Sequence, residues 1–598
     1  MDGRASRPGT TMTAKTATVA KNRLRQILLL TAVLLSISAD SFTQADLGVP
    51  SKDGLVVCVS APACDAGASV LAKGGNAVDA AVATAFALAV THPAAGNIGG
   101  GGFMIVRTPA GAVTTFEYRE KAPLKSTETM YLGADGQIVR GLTSAGYLAP
   151  GVPGTVRGLE LAHKKFGKLP WTDVIAPSIG LAEGFVVSAA LARGLNREVQ
   201  GPMAPFPASV AAFGKPGGGE WAEGDRLVQA DLSKTLRAIA DGGADAFYKG
   251  WIADRIAEDM KTNGGLITKD DLAAYKAKER APIRGTYKGY DIVSMPPPSS
   301  GGVALVEMLN IVEPFDLKSK GLLTAPALHV QIEAMRRAYL DRARHLGDPD
   351  FVDVPVARLT SKEHARSVAA SIDPAKASNS VELGKDIVTA PAAEPDETTH
   401  FSVIDRDGLA VTSTYTLEGS YGSHVVVTGT GFLLNNEMGD FNKKPGDTNL
   451  TGDIGTPANV IAPGKAMLSS MTPTLVAKDG RLVLLTGSPG GRTIINTVFT
   501  IVLGVAEYGL TGREAVDLAR MHHQWLPDRA TLEEGAVPAE VLDALRAMGH
   551  EVRSQSRQGD AHSIWVAPDG TPYGVQDKRS PDSKASVPAR LTPTAAGR

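Results

Sequence analysis

The amino-acid sequence predicts an α+β fold of four layers, αββα, in which two antiparallel sheets pack together and helices cover their outer faces. Hairpin patterns with an Asp-Gly turn between two strand-like runs recur at 400–416, 473–486 and 563–573. The stretch from 150 to 385 is mainly helical in pattern. Strand patterns followed by helical patterns occur in both halves of the chain, which favours two sheets in one layered core.

The N-terminal part begins with a strand pattern at 55–59. An alanine-rich stretch at 62–90 predicts a pair of buried helices interrupted at Gly74-Gly75-Asn76. A strand pattern at 103–106 returns through 113–118 after a Pro-Ala-Gly turn, which predicts a further hairpin.

In the helical middle of the chain, Thr268-Lys-Asp-Asp271 predicts a helix start with a capping acid, and 324–344 predicts a long amphipathic helix. The proline-rich segment 295–302 predicts a rigid loop between a strand and a helix. After the hairpin that begins at 473, Gly487-Ser-Pro-Gly-Gly491 precedes a predicted helix at 493–508.

The composition indicates a globular protein. Of the 598 residues, 43% are hydrophobic and 21% are charged, which excludes a disordered chain or a protein with many membrane spans. The formal net charge is −2, so nothing indicates binding to nucleic acid or to an anionic membrane.

The N-terminus has the pattern of an export signal. A basic region at 21–25 precedes an apolar run at 27–37, and Thr43-Gln44-Ala45 fits a small-x-small cleavage site. The apolar run is shorter than the roughly 18 residues of a membrane anchor. The sequence therefore predicts a signal peptide at 1–45, no stable membrane span, and a soluble protein that is periplasmic or secreted.

Two cysteines, Cys58 and Cys64, leave two interpretations open. Export permits a disulfide between them, although such a small loop adds little stability through loop entropy. Two buried small side chains would fit equally well. The cysteines and histidines lack the spacing of a structural zinc site, and we predict neither a metal nor a cofactor.

The nucleophile and nucleotide motifs of common enzyme classes are absent: the sequence contains no G-x-S-x-G elbow, no H-E-x-x-H and no Walker A motif. Thr398 stands where a proline-containing linker meets the 400–416 hairpin. If the chain is cut before Thr398, this residue carries a nucleophilic hydroxyl and its own base, the freed α-amine. An α-amine with a pKa of about 7.7–8.0 suits general base catalysis near neutral pH.

Such a nucleophile also needs donors for the developing oxyanion. Gly490 and Gly491 lie between a predicted strand and a predicted helix, where glycine lets the backbone approach a substrate closely. The helix N-terminus adds a favourable field. These two glycines are therefore candidates for the oxyanion hole.

Several motifs in one order resemble the γ-glutamyltransferase family (γ-glutamyl transpeptidases), whose members are N-terminal nucleophile hydrolases. The similarity covers roughly residues 50 to 585. The motifs that carry it are Thr398–Val403, Leu434–Phe441, Leu468–Thr474, Gly487–Gly491, Gly74–Asp79, Gly99–Phe103, Met295–Gly302 and Gly347–Asp350.

The resemblance implies self-cleavage between Glu397 and Thr398, which would give a large subunit, 46–397, and a small subunit, 398–598, that share one αββα core. It also implies transfer of the γ-glutamyl group from glutathione and related compounds, through a γ-glutamyl-enzyme ester, to water, amino acids or peptides.

The resemblance also assigns roles within the site. Thr416 matches a threonine that supports the nucleophile, and Gly490 and Gly491 match the oxyanion pair. The substrate's α-carboxylate needs a guanidinium and hydroxyl donors, and its α-ammonium needs carboxylates. The matching positions for the carboxylate are Arg119, Ser469 and Ser470, and those for the ammonium are Glu437 and Asp440.

Some positions depart from the family pattern. Glu418 stands where asparagine is frequent, so it can either add a negative group around the ammonium or alter how an acceptor is received. The predicted lid, 442–459, has Thr451 where some members have an aromatic residue. The segments 465–468 and 576–580 follow the family only loosely. These departures concern acceptor preference and the balance of hydrolysis and transfer, not the reaction type.

Two alternatives remain at this point. One is an acylase on the same scaffold that cleaves glutaryl-type amides such as cephalosporin side chains. Such an enzyme needs no ammonium recognition, and Glu418, Glu437 and Asp440 would face an apolar acyl chain unpaired. The other is an uncleaved, non-catalytic homologue.

Overall fold

A computed structural model describes residues 1–4, 46–387, 398–450 and 452–589. From Leu47 onward the chain forms one compact unit. The predicted signal peptide beyond its first four residues, Glu397 and Thr451 all lie outside the described residues. No described helix is both long enough and apolar enough to cross a bilayer.

The strands of the described residues are, in chain order, β1 Val49–Pro50, β2 Gly54–Cys58, β3 Gly101–Arg107, β4 Val113–Tyr118, β5 Phe185–Val186, β6 Arg226–Leu227, β7 Lys278–Arg280, β8 Ile283–Tyr287, β9 Tyr290–Ser294, β10 Thr399–Asp405, β11 Ala410–Thr416, β12 Thr474–Lys478, β13 Arg481–Thr486, β14 Met521–His522, β15 Ala530–Glu533, β16 Val552–Gln555, β17 Ser563–Val566, β18 Pro572–Val575 and β19 Lys584–Ser586.

The α-helices of the described residues are α1 Ala61–Ala72, α2 Ala77–Thr91, α3 Thr155–Phe166, α4 Trp171–Ala182, α5 Ala189–Gln200, α6 Pro207–Phe213, α7 Ala230–Gly242, α8 Ala244–Tyr248, α9 Trp251–Thr262, α10 Lys269–Ala274, α11 Gly301–Val312, α12 Leu317–Lys320, α13 Ala325–His345, α14 Val356–Leu359, α15 Lys362–Ala370, α16 Ser380–Leu383, α17 Thr493–Ala506, α18 Gly512–Asp517 and α19 Ala539–Ala547. Short 3₁₀ turns occur at Glu313–Phe315, Glu437–Asp440 and Pro457–Asn459.

Two seven-stranded sheets form the centre of this unit. The first sheet has the order β19-β2-β10-β11-β3-β4-β7, and the second has the order β1-β18-β17-β13-β12-β9-β8. Every neighbouring pair in both sheets is antiparallel. The hairpin β10–β11 lies in the middle of the first sheet, between β2 and β3.

The alternation of side chains along the strands shows how the layers stack. In β2, Leu55 and Val57 belong to the apolar layer between the two sheets, together with Leu475 of β12 and Leu485 of β13. The intervening Val56 faces the other way, into a core that it shares with the helices outside the first sheet. Because both faces are buried, these strands are apolar on both sides.

The helices form two separate outer layers. One core joins the first sheet to helices that include α1–α4, and another joins the second sheet to α11, α13 and α17. The order of layers is therefore helix, sheet, sheet, helix, and the predicted αββα fold is confirmed.

Most predicted elements are present, with bounds that differ by a few residues. The break in the alanine-rich pair exists because Asn76 caps α2, and Thr268 forms the predicted capping box of α10. The region 150–385 is mainly helical but also contains β5 to β9, and the small sheet β14-β15-β16 was not predicted. Cys58 and Cys64, whose pairing the sequence left open, form a disulfide.

Candidate active site

Thr398 lies directly before β10, in the middle of the first sheet, and is buried. The pairing of Thr399 with Tyr415 places Thr416 beside Thr398 at the same end of the hairpin. The backbone N–H of Glu418 donates to Thr416 Oγ1 (2.8 Å), and Thr416 Oγ1 donates to Thr398 Oγ1 (3.3 Å). Because Thr398 Oγ1 accepts this hydrogen bond, its own proton is directed elsewhere and can be given to a base.

One cleft contains most of the predicted site residues. Its cavity volume in this structure is about 20 Å³, room for about one water molecule. Its lining consists of Arg119, Thr398, Thr416, Glu418, Glu437, Asp440, Ser469, Ser470, Met471, Gly491, Arg492 and Ile494. Gly490 lines a second cavity of about 380 Å³, which also reaches Thr398. Thr398 therefore lines both cavities and lies between them.

Gly490 and Gly491 form the turn between β13 and α17, with φ angles of +120° and +49°. A Cβ on Gly490 would lie 2.5 Å from Thr493 Oγ1, so the position excludes a side chain. The Gly490 carbonyl accepts a hydrogen bond from Thr493 N (2.9 Å) in the first turn of α17. Since a trans peptide is planar, the N–H of Gly491 points in the opposite direction, away from the helix.

The guanidinium of Arg119, which is almost fully buried, is the centre of the charged part of the cleft. It forms ion pairs with Glu437, with Asp440 and, at 3.3 Å, with Glu120. Its Nε donates to the carbonyl of Met467 (3.2 Å). Although burial opposes its charged form, the three carboxylates raise the pKa of Arg119 further above its ordinary value.

The three carboxylates outnumber the single guanidinium that pairs with them. Burial raises the pKa of Glu437 well above its ordinary value, although Arg119 acts in the opposite direction. Burial likewise raises the pKa of Glu120 to about 7. Asp440 is the most accessible member, with 35% of its side chain exposed. The predicted carboxylate-binding and ammonium-binding groups are thus adjacent and bind each other in this structure.

Ser469 and Ser470 are held by the proline-rich loop that the sequence singled out. The Ser469 carbonyl accepts hydrogen bonds from the N–H and the hydroxyl of Ser300 (2.7 and 2.6 Å). Arg342 of α13 donates to Ser300 Oγ (2.9 Å) and to Ser470 Oγ (3.1 Å). Ser469 Oγ accepts from the N–H of Met471 (3.1 Å). Because both serine hydroxyls already accept a hydrogen bond, their protons can be donated to a bound anion.

Several residues that position the cleft were missed by sequence reasoning. Arg342 and Ser300 support the serine pair, and Arg492 lines the cleft beside Gly491. Asn459 accepts from Leu468 N (2.9 Å) and donates to the Asp440 carbonyl (2.6 Å), so it joins the predicted lid to the cleft. The 295–302 motif was the only sequence signal for this second layer of support.

The model of the gamma-glutamyltranspeptidase family matches residues 63–587, which includes every described residue of the cleft. The chain belongs to the gamma-glutamyltranspeptidase family. It is 49% identical over 537 residues to the glutathione hydrolase proenzyme of Escherichia coli (strain K12), with 89% of this chain and 92% of that protein covered. It is 43% identical over 563 residues to the glutathione hydrolase proenzyme of Pseudomonas sp. (strain A14), covering 92% of this chain and 96% of that protein.

Among solved structures, the cephalosporin acylase from Bacillus halodurans superposes with a TM-score of 0.79 at 26% identity, covering 92% of this chain and 98% of the acylase. The gamma-glutamyltranspeptidase family and this acylase thus share the αββα fold. The family membership predicted from sequence is confirmed, and the protein is an enzyme of this family.

Proposed function

We propose that the chain cuts itself between Glu397 and Thr398 and that the new N-terminal threonine then transfers the γ-glutamyl group of glutathione and related compounds to water, amino acids or peptides. One observation carries the proposal. The hydroxyl of Thr398, oriented by Thr416, lies in the same cleft as a buried guanidinium, several carboxylates and a pair of serine hydroxyls.

The proposed chemistry begins with the freed α-amine of Thr398, which accepts the proton of its own hydroxyl. The hydroxyl oxygen attacks the γ-carbonyl carbon, and the N–H groups of Gly490 and Gly491 stabilise the oxyanion. The intermediate collapses to an ester, and the leaving amine takes the proton from the α-ammonium. Water or an acceptor amine then attacks the ester and regenerates the threonine.

The recognition of the donor follows from its two charges. The α-carboxylate binds Arg119 with the hydroxyls of Ser469 and Ser470, and the α-ammonium binds Glu437 and Asp440. Because these groups pair with each other in the described structure, a zwitterionic glutamyl head can replace each internal contact with an equivalent one. A substrate without the ammonium replaces only half of them.

The two proposed subunits, 46–397 and 398–598, remain associated after the cut because strands on both sides of Thr398 share both sheets. In the first sheet, β10 and β11 lie between β2 and β3. In the second, β9 pairs with β12. Export to the periplasm or outside the cell is supported by the disulfide Cys58–Cys64, since disulfides persist in oxidising compartments.

The experiment that tests self-cleavage is mass spectrometry of the purified protein. We expect two fragments, one of which begins at Thr398, and a single inactive chain for Thr398→Ala. Normal cleavage of the Thr398→Ala chain would refute the role of this residue, and an intact wild-type chain would indicate a non-catalytic homologue.

A second candidate, a glutaryl acylase, is favoured by the fold shared with the cephalosporin acylase. The buried carboxylates of the cleft oppose it, since a glutaryl chain leaves them without a cation. Assays of a γ-glutamyl anilide beside its glutaryl counterpart distinguish the two. Faster cleavage of the glutaryl compound would overturn the proposed function.

A further inference from the structure

Three helices outside the second sheet bring two carboxylates and an imidazole together at a place that the reaction does not use. Glu307 lies on α11, Asp341 on α13 and His364 on α15. One ligand atom from each lies within 4.8 Å of the others. Glu307 is 1% exposed, whereas the Asp341 and His364 side chains are 12% and 16% exposed. The group is therefore buried on one side and reachable from solvent on the other.

The spacing of these atoms fits ligands around one small cation. Zn–N and Zn–O bonds of about 2.0–2.2 Å in a tetrahedral site place ligand atoms about 3.3–3.5 Å apart. His364 Nε2 lies 3.2 Å from Asp341 Oδ2 and 3.4 Å from Glu307 Oε1. Direct hydrogen bonds between such charged groups are usually shorter, at about 2.7–2.9 Å.

The buried carboxylate of Glu307 also lacks adequate compensation. Its Oε1 accepts no well-aligned hydrogen bond among the described residues. No described Lys or Arg forms an ion pair with Glu307 or Asp341, whose partners are histidines. Two buried carboxylates that share one imidazole have too little positive charge beside them, which is costly, and a divalent cation removes that cost.

A second cluster in the same region, formed by His329, Glu333 and His550, has its hydrogen bonds and charges already paired within the protein. His329 Nδ1 and His550 Nε2 are 2.8 Å apart, a hydrogen-bond distance at which two metal ligands would be too close. Glu333 of that cluster is already paired with Arg336 and Arg337. This cluster has its own counter-charges and needs no metal.

We propose that Glu307, Asp341 and His364 bind one divalent transition-metal ion, with Zn²⁺ or Mn²⁺ the best match to mixed carboxylate and imidazole ligands. Water can complete the coordination of the ion. The ion joins α11, α13 and α15. It thereby stabilises α13 at Asp341, next to Arg342, which holds the serine pair of the cleft.

The test uses the purified protein after treatment with a chelator, titrated with ZnCl₂ and separately with MnCl₂ by calorimetry and by thermal unfolding. We compare wild type with Glu307→Gln and His364→Gln. Glu363→Gln is the matched control, since Glu363 is an exposed carboxylate on the same helix as His364. Substitution of an outer-shell group alone weakens metal sites by about 10–100-fold, so loss of a direct ligand should weaken binding at least about 10-fold.

We expect one ion per chain and a metal-dependent rise in Tm for wild type and Glu363→Gln, and loss of both in Glu307→Gln and His364→Gln. If Glu307→Gln does not fold, His364→Gln decides alone. The proposal is wrong if all variants bind the ion equally. It is also wrong if the heat measured with the wild-type protein comes only from proton transfer and no cation binds. Neither result depends on transferase activity, so this outcome is independent of the proposed function.

Discussion

The substitution Asp440→Asn tests the proposed recognition of the substrate ammonium. It keeps the shape of the side chain and removes one negative charge from the mouth of the cleft, where Asp440 pairs with Arg119. A hydrogen bond to a charged group contributes about 1.5–3 kcal/mol. Because 35% of the Asp440 side chain is exposed, screening by solvent favours the lower half of that range.

A loss of about 1.5–2 kcal/mol corresponds to a decrease of about 10–30-fold in kcat/KM. The assay measures kcat/KM for a γ-glutamyl anilide and for its glutaryl counterpart, which lacks the ammonium. We expect the decrease only for the γ-glutamyl compound. Mass spectrometry first verifies that the variant is cut before Thr398, so that a failure of processing is not mistaken for a failure of binding.

Asp517→Asn is the matched control. The Asp517 side chain is 32% exposed and also pairs with an arginine, Arg513, at 2.9 Å, but it lies on α18, outside the cleft. We expect no change in kcat/KM for either compound. An equal decrease for both compounds in Asp440→Asn would refute the idea that this carboxylate recognises the ammonium.

Three further predictions follow from the cleft and from the core. Gly490→Ala should lower kcat by about 100-fold or more, because the new Cβ collides with Thr493 Oγ1 and the turn must shift, which displaces the oxyanion donors. Unchanged turnover of a processed variant would exclude this turn from catalysis. Thr416→Val should lower kcat several-fold, since one neutral hydrogen bond contributes about 1 kcal/mol, whereas Thr416→Ser keeps the hydroxyl and should keep kcat near the wild-type value. Equal rates for the Val and Ser variants would contradict the role of the hydroxyl. Burial lowers the pKa values of His522 and His523 to about 4. Below the ordinary histidine pKa of about 6.5 the unfolded chain therefore binds more protons than the folded chain, and the free energy of unfolding should fall as the pH decreases from 6.5 to 4. A Tm that stays constant between pH 7 and pH 5 would contradict this.

The elements that sequence reasoning predicted well are those with local signals. The Asp-Gly turn at 407–408 and the apolar runs beside it are sufficient to predict the hairpin β10–β11, and Asn76 marks the start of α2 through its own side chain. In contrast, β5 and β6 have two residues each, and β15 pairs with β16 in parallel across an intervening helix. Such short strands have no pattern of their own, since pairing between distant segments determines them.

The same division applies to the site. The order of motifs in the sequence was sufficient to identify the family and to predict Thr398, Thr416 and the glycine pair. The tertiary structure alone shows that Arg119 pairs with Asp440 across 321 positions and that Arg342 holds Ser470 across 128. The physical reason is the distance along the sequence between the residues that interact. Turns and helix caps depend on neighbouring residues, whereas the pairing of buried charges depends on which helices and strands the completed fold brings together.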